Sequence, residues 1–200
     1  MGKLNLLQGK WDGKVGQTVG AKWKNKATIR AYAKPSNPNT APQQEKRTVF
    51  KAMSQFVALF ADQIKSLSSL NTRGQSVRNA IIQANKDQFA AGGRFNKDTL
   101  IVNKGGLVAL ENVQVAAGGQ TITWTPPTAT NISAKATVVV VVVNSERKIG
   151  IVHTALASTG TIDASAGVVG DPSDYSVYVY MIDYRGSTRV GNNSVKVNFT

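Results

Sequence analysis

Apolar residues recur at three- and four-residue spacing through Val49, Phe50, Met53, Phe56, Val57, Phe60, Ile64 and Leu67. That period is one face of an amphipathic helix. The chain before it resists helix, because Pro35 and Pro38 hold Lys34 and Asn37 extended. Thr40-Ala41-Pro42-Gln43 then fits a capping box, with Thr40 accepting from the Gln43 amide, the Gln43 side chain reaching back and Pro42 in the first turn. This corner (Pro35, Asn37, Pro38, Thr40, Gln43 and Arg47) is expected to fix the direction of the preceding segment relative to the helix. A second helix is expected over Thr72 to Ala91, with Val77, Ala80, Ile81, Ala84 and Phe89 on one face and Gly92-Gly93 at its end.

Elsewhere the period is shorter. Residues 10–33 read as short strands split by Gly13, Gly16 and Gly20, with Asn25-Lys26 as a turn candidate. From Leu107 onward, strands are expected over Leu107–Val115, Gln120–Trp124, Lys135–Val143, Lys148–Thr154, Tyr175–Asp183 and Ser194–Phe199, with a weaker one near Thr159–Asp163. Such a series of short strands argues for an antiparallel sandwich. The run Val138–Val143 breaks the alternation of a half-exposed strand and needs cover on both faces. The chain's own elements or another subunit could supply that cover. The expected class is therefore α+β: a basic β-hairpin arm plus helical hairpin over residues 1–104, then an immunoglobulin-like antiparallel β-sandwich over 105–200.

Charge adds a second division. The net charge is +13 over 200 residues. Residues 1–104 hold 18 Lys/Arg against five acids, and residues 105–200 hold six of each, so all the excess lies in the first half. An asymmetry of this kind favours a polyanionic neighbour, nucleic acid or an acidic protein surface. A basic surface kept for solubility is the alternative. In the arm, Lys10, Lys14, Lys22, Lys24, Lys26 and Arg30 interleave with Trp11, Trp23 and Tyr32. Lysines release counterions on meeting phosphate, and exposed aromatic rings stack on unpaired bases. Trp23 joins the six cations as a candidate contact for nucleic acid or a protein partner. Equally, the tryptophans could pack inward while the lysines face water.

Catalytic chemistry finds little support. There is no cysteine, and the single histidine, His153, falls in an expected strand. GKVGQTVG lacks the Lys-Ser/Thr ending of a phosphate-binding loop. Asp171 and Asp174 flank a Pro-Ser turn, ordinary turn chemistry. No cofactor, metal, catalytic residue or small-molecule substrate is expected. The opening MGKLNLLQGKW has too short an apolar core for a secretory signal, Leu6 breaks the myristoylation pattern, and no run is long enough to span a membrane.

Two resemblances extend this reading. TITWTPPT (121–128), YSVYVYMIDYRG (175–186) and SVKVNF (194–199) resemble the second and last two strands of a fibronectin type III or related immunoglobulin-like module. Arg185-Gly186-Ser187 is not the Arg-Gly-Asp adhesion tripeptide. Gly13-Lys14-Val15-Gly16, the basic strand Thr28–Tyr32, and Asn37, Pro38, Thr40, Gln43 and Arg47 together resemble a pattern in uncharacterised proteins of bacteria and their phages. That resemblance implies no transferable activity, but it points to a virion role. The expectation is a non-enzymatic structural or interaction protein, a bacteriophage capsid or capsid-associated component. It would contact its own copies, other virion proteins or nucleic acid, in the virion or bacterial cytoplasm and without a membrane. A stand-alone, non-specific nucleic-acid-binding protein is the alternative. A surface adhesion module is a third reading, which the missing secretion signal disfavours.

Overall fold

A computed structural model describes residues 3–5, 10–23, 26–34, 36–70, 74–89, 94–116, 120–128, 132–185 and 188–199. The chain divides into two compact units, Met1–Thr40 and Ala41–Thr200.

The first unit is a four-stranded antiparallel meander, β1 (Lys3–Asn5), β2 (Lys10–Val15), β3 (Thr18–Trp23) and β4 (Lys26–Ala31), paired in chain order. It exceeds the single hairpin expected from the sequence. The two-residue turn between β2 and β3 places Gly16 at φ 58°, the conformation a tight hairpin turn asks of a leading glycine. Thr18 Oγ1 donates to the Val15 carbonyl across that turn at 2.9 Å. Strand β1 has only three residues, Lys3-Leu4-Asn5, too few for their alternation to define a strand, so pairing with β2 creates it.

In the second unit, α1 spans Ala41–Ala58 and helical turns carry the chain on to Leu67. The periodic residues Val49, Met53, Phe56, Val57, Phe60 and Ile64 are all buried, whereas Phe50 is exposed. Helix α1 begins directly after Thr40, the start expected from the sequence. Gln43 Oε1 is buried without a hydrogen-bond partner, however, so the reciprocal half of the capping box is not formed.

Helix α2 is short, Val77–Ala84, with Ser76 Oγ capping the Asn79 amide at 3.2 Å. A 3-10 turn over Lys86–Phe89 follows it. The helix expected over 72–91 stops early because Asn85 is claimed from outside. Its Oδ1 accepts from the Ile101 amide and its Nδ2 donates to the Ile101 carbonyl, both at 2.8 Å. Such side-chain bonding competes with continuation of the helix. The expected stop at Gly92-Gly93 lies outside the described residues.

The remaining strands are β5 (Glu111–Val115), β6 (Thr121–Thr125), β7 (Thr137–Asn144), β8 (Ile149–Leu156), β9 (Thr161–Asp163), β10 (Ser176–Arg185), β11 (Thr188–Gly191) and β12 (Val195–Val197). They form two antiparallel sheets. One orders β5-β6-β9; the other orders β8-β7-β10, with β11 and β12 both on the far side of β10. The class is thus mixed α+β with antiparallel pairing.

The valine run sits at the centre of the larger sheet. Val139, Val141 and Val143 join Met53, Phe56 and Phe60 of the helical layer, together with Tyr178, Tyr180 and Ile182. Val138, Val140 and Val142 join Ile122 and Trp124 of the smaller sheet, with Val177, Val179 and Met181. Helices, large sheet and small sheet therefore form three layers, and both faces of β7 are covered within the chain. Among the described residues no helix is long and apolar enough to cross a membrane.

Candidate partner-binding surface

The register of the N-terminal meander decides which side chains share a face. Lys14 lies opposite Val19, and Val19 opposite Arg30. Directly paired residues point the same way, so Lys14 and Arg30 flank Val19 on one face. They stand two strands apart, about 10 Å at the usual strand spacing. Both are exposed. Lys14 Nζ sits 3.7 Å from the centroid of the Tyr32 ring, a cation–π contact that holds lysine and aromatic ring together. Tyr32 is itself fixed where its amide donates to the Gln17 carbonyl at 2.7 Å. No carboxylate among the described residues pairs with Lys14 or Arg30.

The opposite face carries Val15 and Ile29, and Lys22 falls in register on that second face rather than with Lys14 and Arg30. Val15 pairs with Thr18, and Ile29 pairs with Gly20, one step out of phase with Lys14 and Arg30. Val15 is 41% exposed and Ile29 56% exposed. The meander is therefore two-sided at its centre, where Lys14 and Arg30 flank Val19 on one face and the exposed Val15 and Ile29 lie on the other.

The other expected contacts fall at the strand ends. Lys10 opens β2 and Lys26 opens β4; Lys22 pairs with Ala27 and Trp23 with Lys26 near the end of β3. Lys24 lies outside the described residues, as do Pro35 and the Asn25 half of the expected turn. Asn37, Pro38 and Thr40 are exposed in irregular backbone, while Gln43 and Arg47 belong to the first turns of α1. Asn39, between them, adopts a left-handed φ of 50°.

His153 lies on β8 opposite Val140, and its Nε2 is buried without a hydrogen-bond partner. Burial lowers its pKa from the usual 6.5, and the charge of Asp163 pulls weakly the other way. Folding thus favours the neutral ring. That contribution is complete above the unfolded pKa and is lost as pH falls below 6.5 towards the lowered folded value. The melting temperature should therefore drop between about pH 7 and about pH 5, and His153→Gln should flatten that part of the profile in a thermal-melt series.

Sequence spacing did not reveal a second cationic group. Arg78, Lys97 and Lys148 line one cavity of about 550 Å3, yet they are scattered along the chain and only the fold of the second unit gathers them.

A mixed α+β chain with a basic, two-faced N-terminal sheet is the class these features define. The profile of a family of unknown function, DUF6266, matches residues 9–196. The chain belongs to that family. Searches of the curated proteins and of the solved structures each gave no match.

Proposed function

We propose that this is a non-enzymatic interaction protein whose N-terminal sheet engages a polyanionic partner, and that it serves as a component of a bacteriophage virion. The observation behind this reading is the exposed pair Lys14 and Arg30 on one sheet face, with no carboxylate partner among the described residues. Residues 1–40 hold eight Lys/Arg against one acid, so cations meeting phosphate would gain by counterion release. Tyr32, tethered to Lys14, adds a ring for stacking. Nothing in the sheet reads base edges, so recognition would be of backbone charge rather than sequence. The exposed Val15 and Ile29 on the other face support the assembly side of the reading, since uncovered apolar residues favour contact with a further copy. The virion setting rests on the resemblance of the Gly13–Gly16 element and the Asn37-to-Arg47 pattern to proteins of bacteria and their phages.

The second unit's strands support an immunoglobulin-like module within this protein. Labelled A, B, C, C′, E, F and G in chain order, β5 to β10 and then β11 with β12 give an A-B-E sheet and a C′-C-F-G sheet. This is the division of strands in that fold family. Tyr175, just before β10, donates from its hydroxyl to the Val169 carbonyl at 3.1 Å and accepts from the Val169 amide at 2.9 Å. A tyrosine tied back a few residues upstream at the start of strand F is the tyrosine corner of such domains. Trp124 on β6 is buried, with Nε1 donating to the Ala157 carbonyl at 2.8 Å.

Light scattering of the purified chain, with and without duplex DNA across a salt series, tests the reading. A discrete, nuclease-insensitive assembly supports the virion role. A monomer whose DNA affinity falls steeply with salt supports a stand-alone nucleic-acid-binding protein instead. The double variant Lys14→Ala/Arg30→Ala should reduce the slope of log affinity against log salt by about one to two units. A monomer indifferent to DNA at low salt would overturn both.

A further inference from the structure

The cavity of about 550 Å3 beside α1 lies within the second unit, in the size range of small-molecule sites. Its described lining holds three cations and no carboxylate: Arg78 on α2, Lys97, and Lys148 in the turn between β7 and β8. Phe56 and Phe95 also line it, with ring centroids 5.4 Å apart and planes inclined at 57°. Like charges gathered beside an apolar wall repel one another, and a bound anion removes that repulsion.

Two of the cations are held in place. Lys97 Nζ donates to Ser145 Oγ at 2.7 Å and stands 5.5 Å from the Phe56 centroid. The Lys97 carbonyl accepts from the Tyr178 hydroxyl at 2.8 Å, which fixes the backbone behind it. Arg78 donates to Ser54 Oγ. Each cation keeps donors beyond these bonds, since an ammonium has three and a guanidinium five.

Lys148 has φ 56°, a left-handed conformation that strains a residue with a Cβ and suits glycine. The turn itself does not need lysine there. It is closed by Asn144 Oδ1, which accepts from the Glu146 and Arg147 amides at 3.0 Å each. What lysine adds at this position is a positive charge on the cavity.

We propose that this cavity binds a small aromatic anion, its ring against the half-buried Phe95, which Phe56 backs from the core, and its phosphate or carboxylate among Arg78, Lys97 and Lys148. The shared chemistry is a flat ring bearing an acidic group. Aryl phosphates such as nucleotides and aryl carboxylates are its two sources.

Calorimetric titration of the full chain with phenyl phosphate, adenosine monophosphate, benzoate and inorganic phosphate tests this. Phenyl phosphate is expected to bind at least tenfold more tightly than inorganic phosphate, because only the former uses the aromatic wall. Tighter binding of benzoate than of phenyl phosphate assigns the site to carboxylates, and the reverse order assigns it to phosphoesters. Lys148→Gly removes the charge and relieves the left-handed strain, so it should weaken phenyl phosphate binding at least tenfold while raising the melting temperature. Amide shift changes confined to residues 95–97 and 145–148 on titration place the ligand in the cavity. Three results would each overturn the proposal: equal affinity for phenyl phosphate and inorganic phosphate, unchanged affinity in Lys148→Gly, or shift changes confined to residues 10–31.

Discussion

Val140→Asp and Val141→Asp are each expected to abolish the native fold, although the two side chains point to opposite sides of β7. Val140 faces Ile122 and Trp124 of the smaller sheet, and Val141 faces the helical layer with Phe56 and Phe60. Both are fully buried. A strand with one wet face would accept a carboxylate at one of two neighbouring positions. Here neither position reaches water, and a buried carboxylate, with no cation beside position 141 and only the neutral imidazole of His153 opposite position 140, costs more than about 4–5 kcal/mol. That is comparable with the whole stability of an ordinary domain, about 5–15 kcal/mol. Val140→Ala and Val141→Ala remove two methyl groups each and should cost only about 1–3 kcal/mol, leaving a folded protein for comparison. Near-ultraviolet circular dichroism and urea unfolding provide the readout. Should either aspartate variant melt within a few degrees of the parent chain, one face of β7 is open and the three-layer arrangement fails.

The valine run also shows how far sequence alone reaches. Six consecutive β-branched residues signal a strand with two covered faces, because burial on one face alone would leave three of them in water. What supplies the cover does not follow from that run. It depends on pairing β10 beside β7 and on the smaller sheet lying opposite the helices, contacts made between residues far apart in the chain. Local pattern also located α1, whose 3.6-residue period is strong, and β6 with its Trp124. It did not foresee β11, since Thr188–Gly191 is four residues without alternation and exists through pairing with Ile182–Arg185. It overextended α2, because the partner that stops the helix at Asn85 is the distant backbone of Ile101. The candidate surface was partly legible. The density of cations in residues 10–30 was plain, but the sorting of Lys14 and Arg30 from Val15 and Ile29 required the register. The cavity lined by Arg78, Lys97 and Lys148 left no local signal at all.

Asn103→Ala is expected to cost about 3–5 kcal/mol, the larger of the polar losses in the second unit. Asn103 is fully buried and ties together two segments far apart in sequence. Its Oδ1 accepts from the Ser69 amide at 2.9 Å, from Ser69 Oγ at 3.1 Å and from Ser68 Oγ at 3.3 Å, where the helical segment ends. Its Nδ2 donates to the Asn192 carbonyl at 2.8 Å, between β11 and β12. Truncation leaves the part-buried Ser69 amide and the fully buried Asn192 carbonyl without this partner, at about 1 kcal/mol or more for the first and up to about 3 kcal/mol for the second. For a unit of this size the loss corresponds to a melting-temperature drop of roughly 6–20 °C. Asn193→Ala is the matched control: its Oδ1 accepts from the Gly105 amide at 3.3 Å in an exposed position, so water replaces the bond and the change should stay below about 1 kcal/mol. A double-mutant cycle with Ser69→Ala separates a shared network from two independent contacts. Coupling of about 0.5 kcal/mol or more is expected for side chains in direct hydrogen bond. Strict additivity, or an Asn103→Ala cost no larger than that of Asn193→Ala, would show that the helical segment is held to β11 and β12 by apolar packing alone.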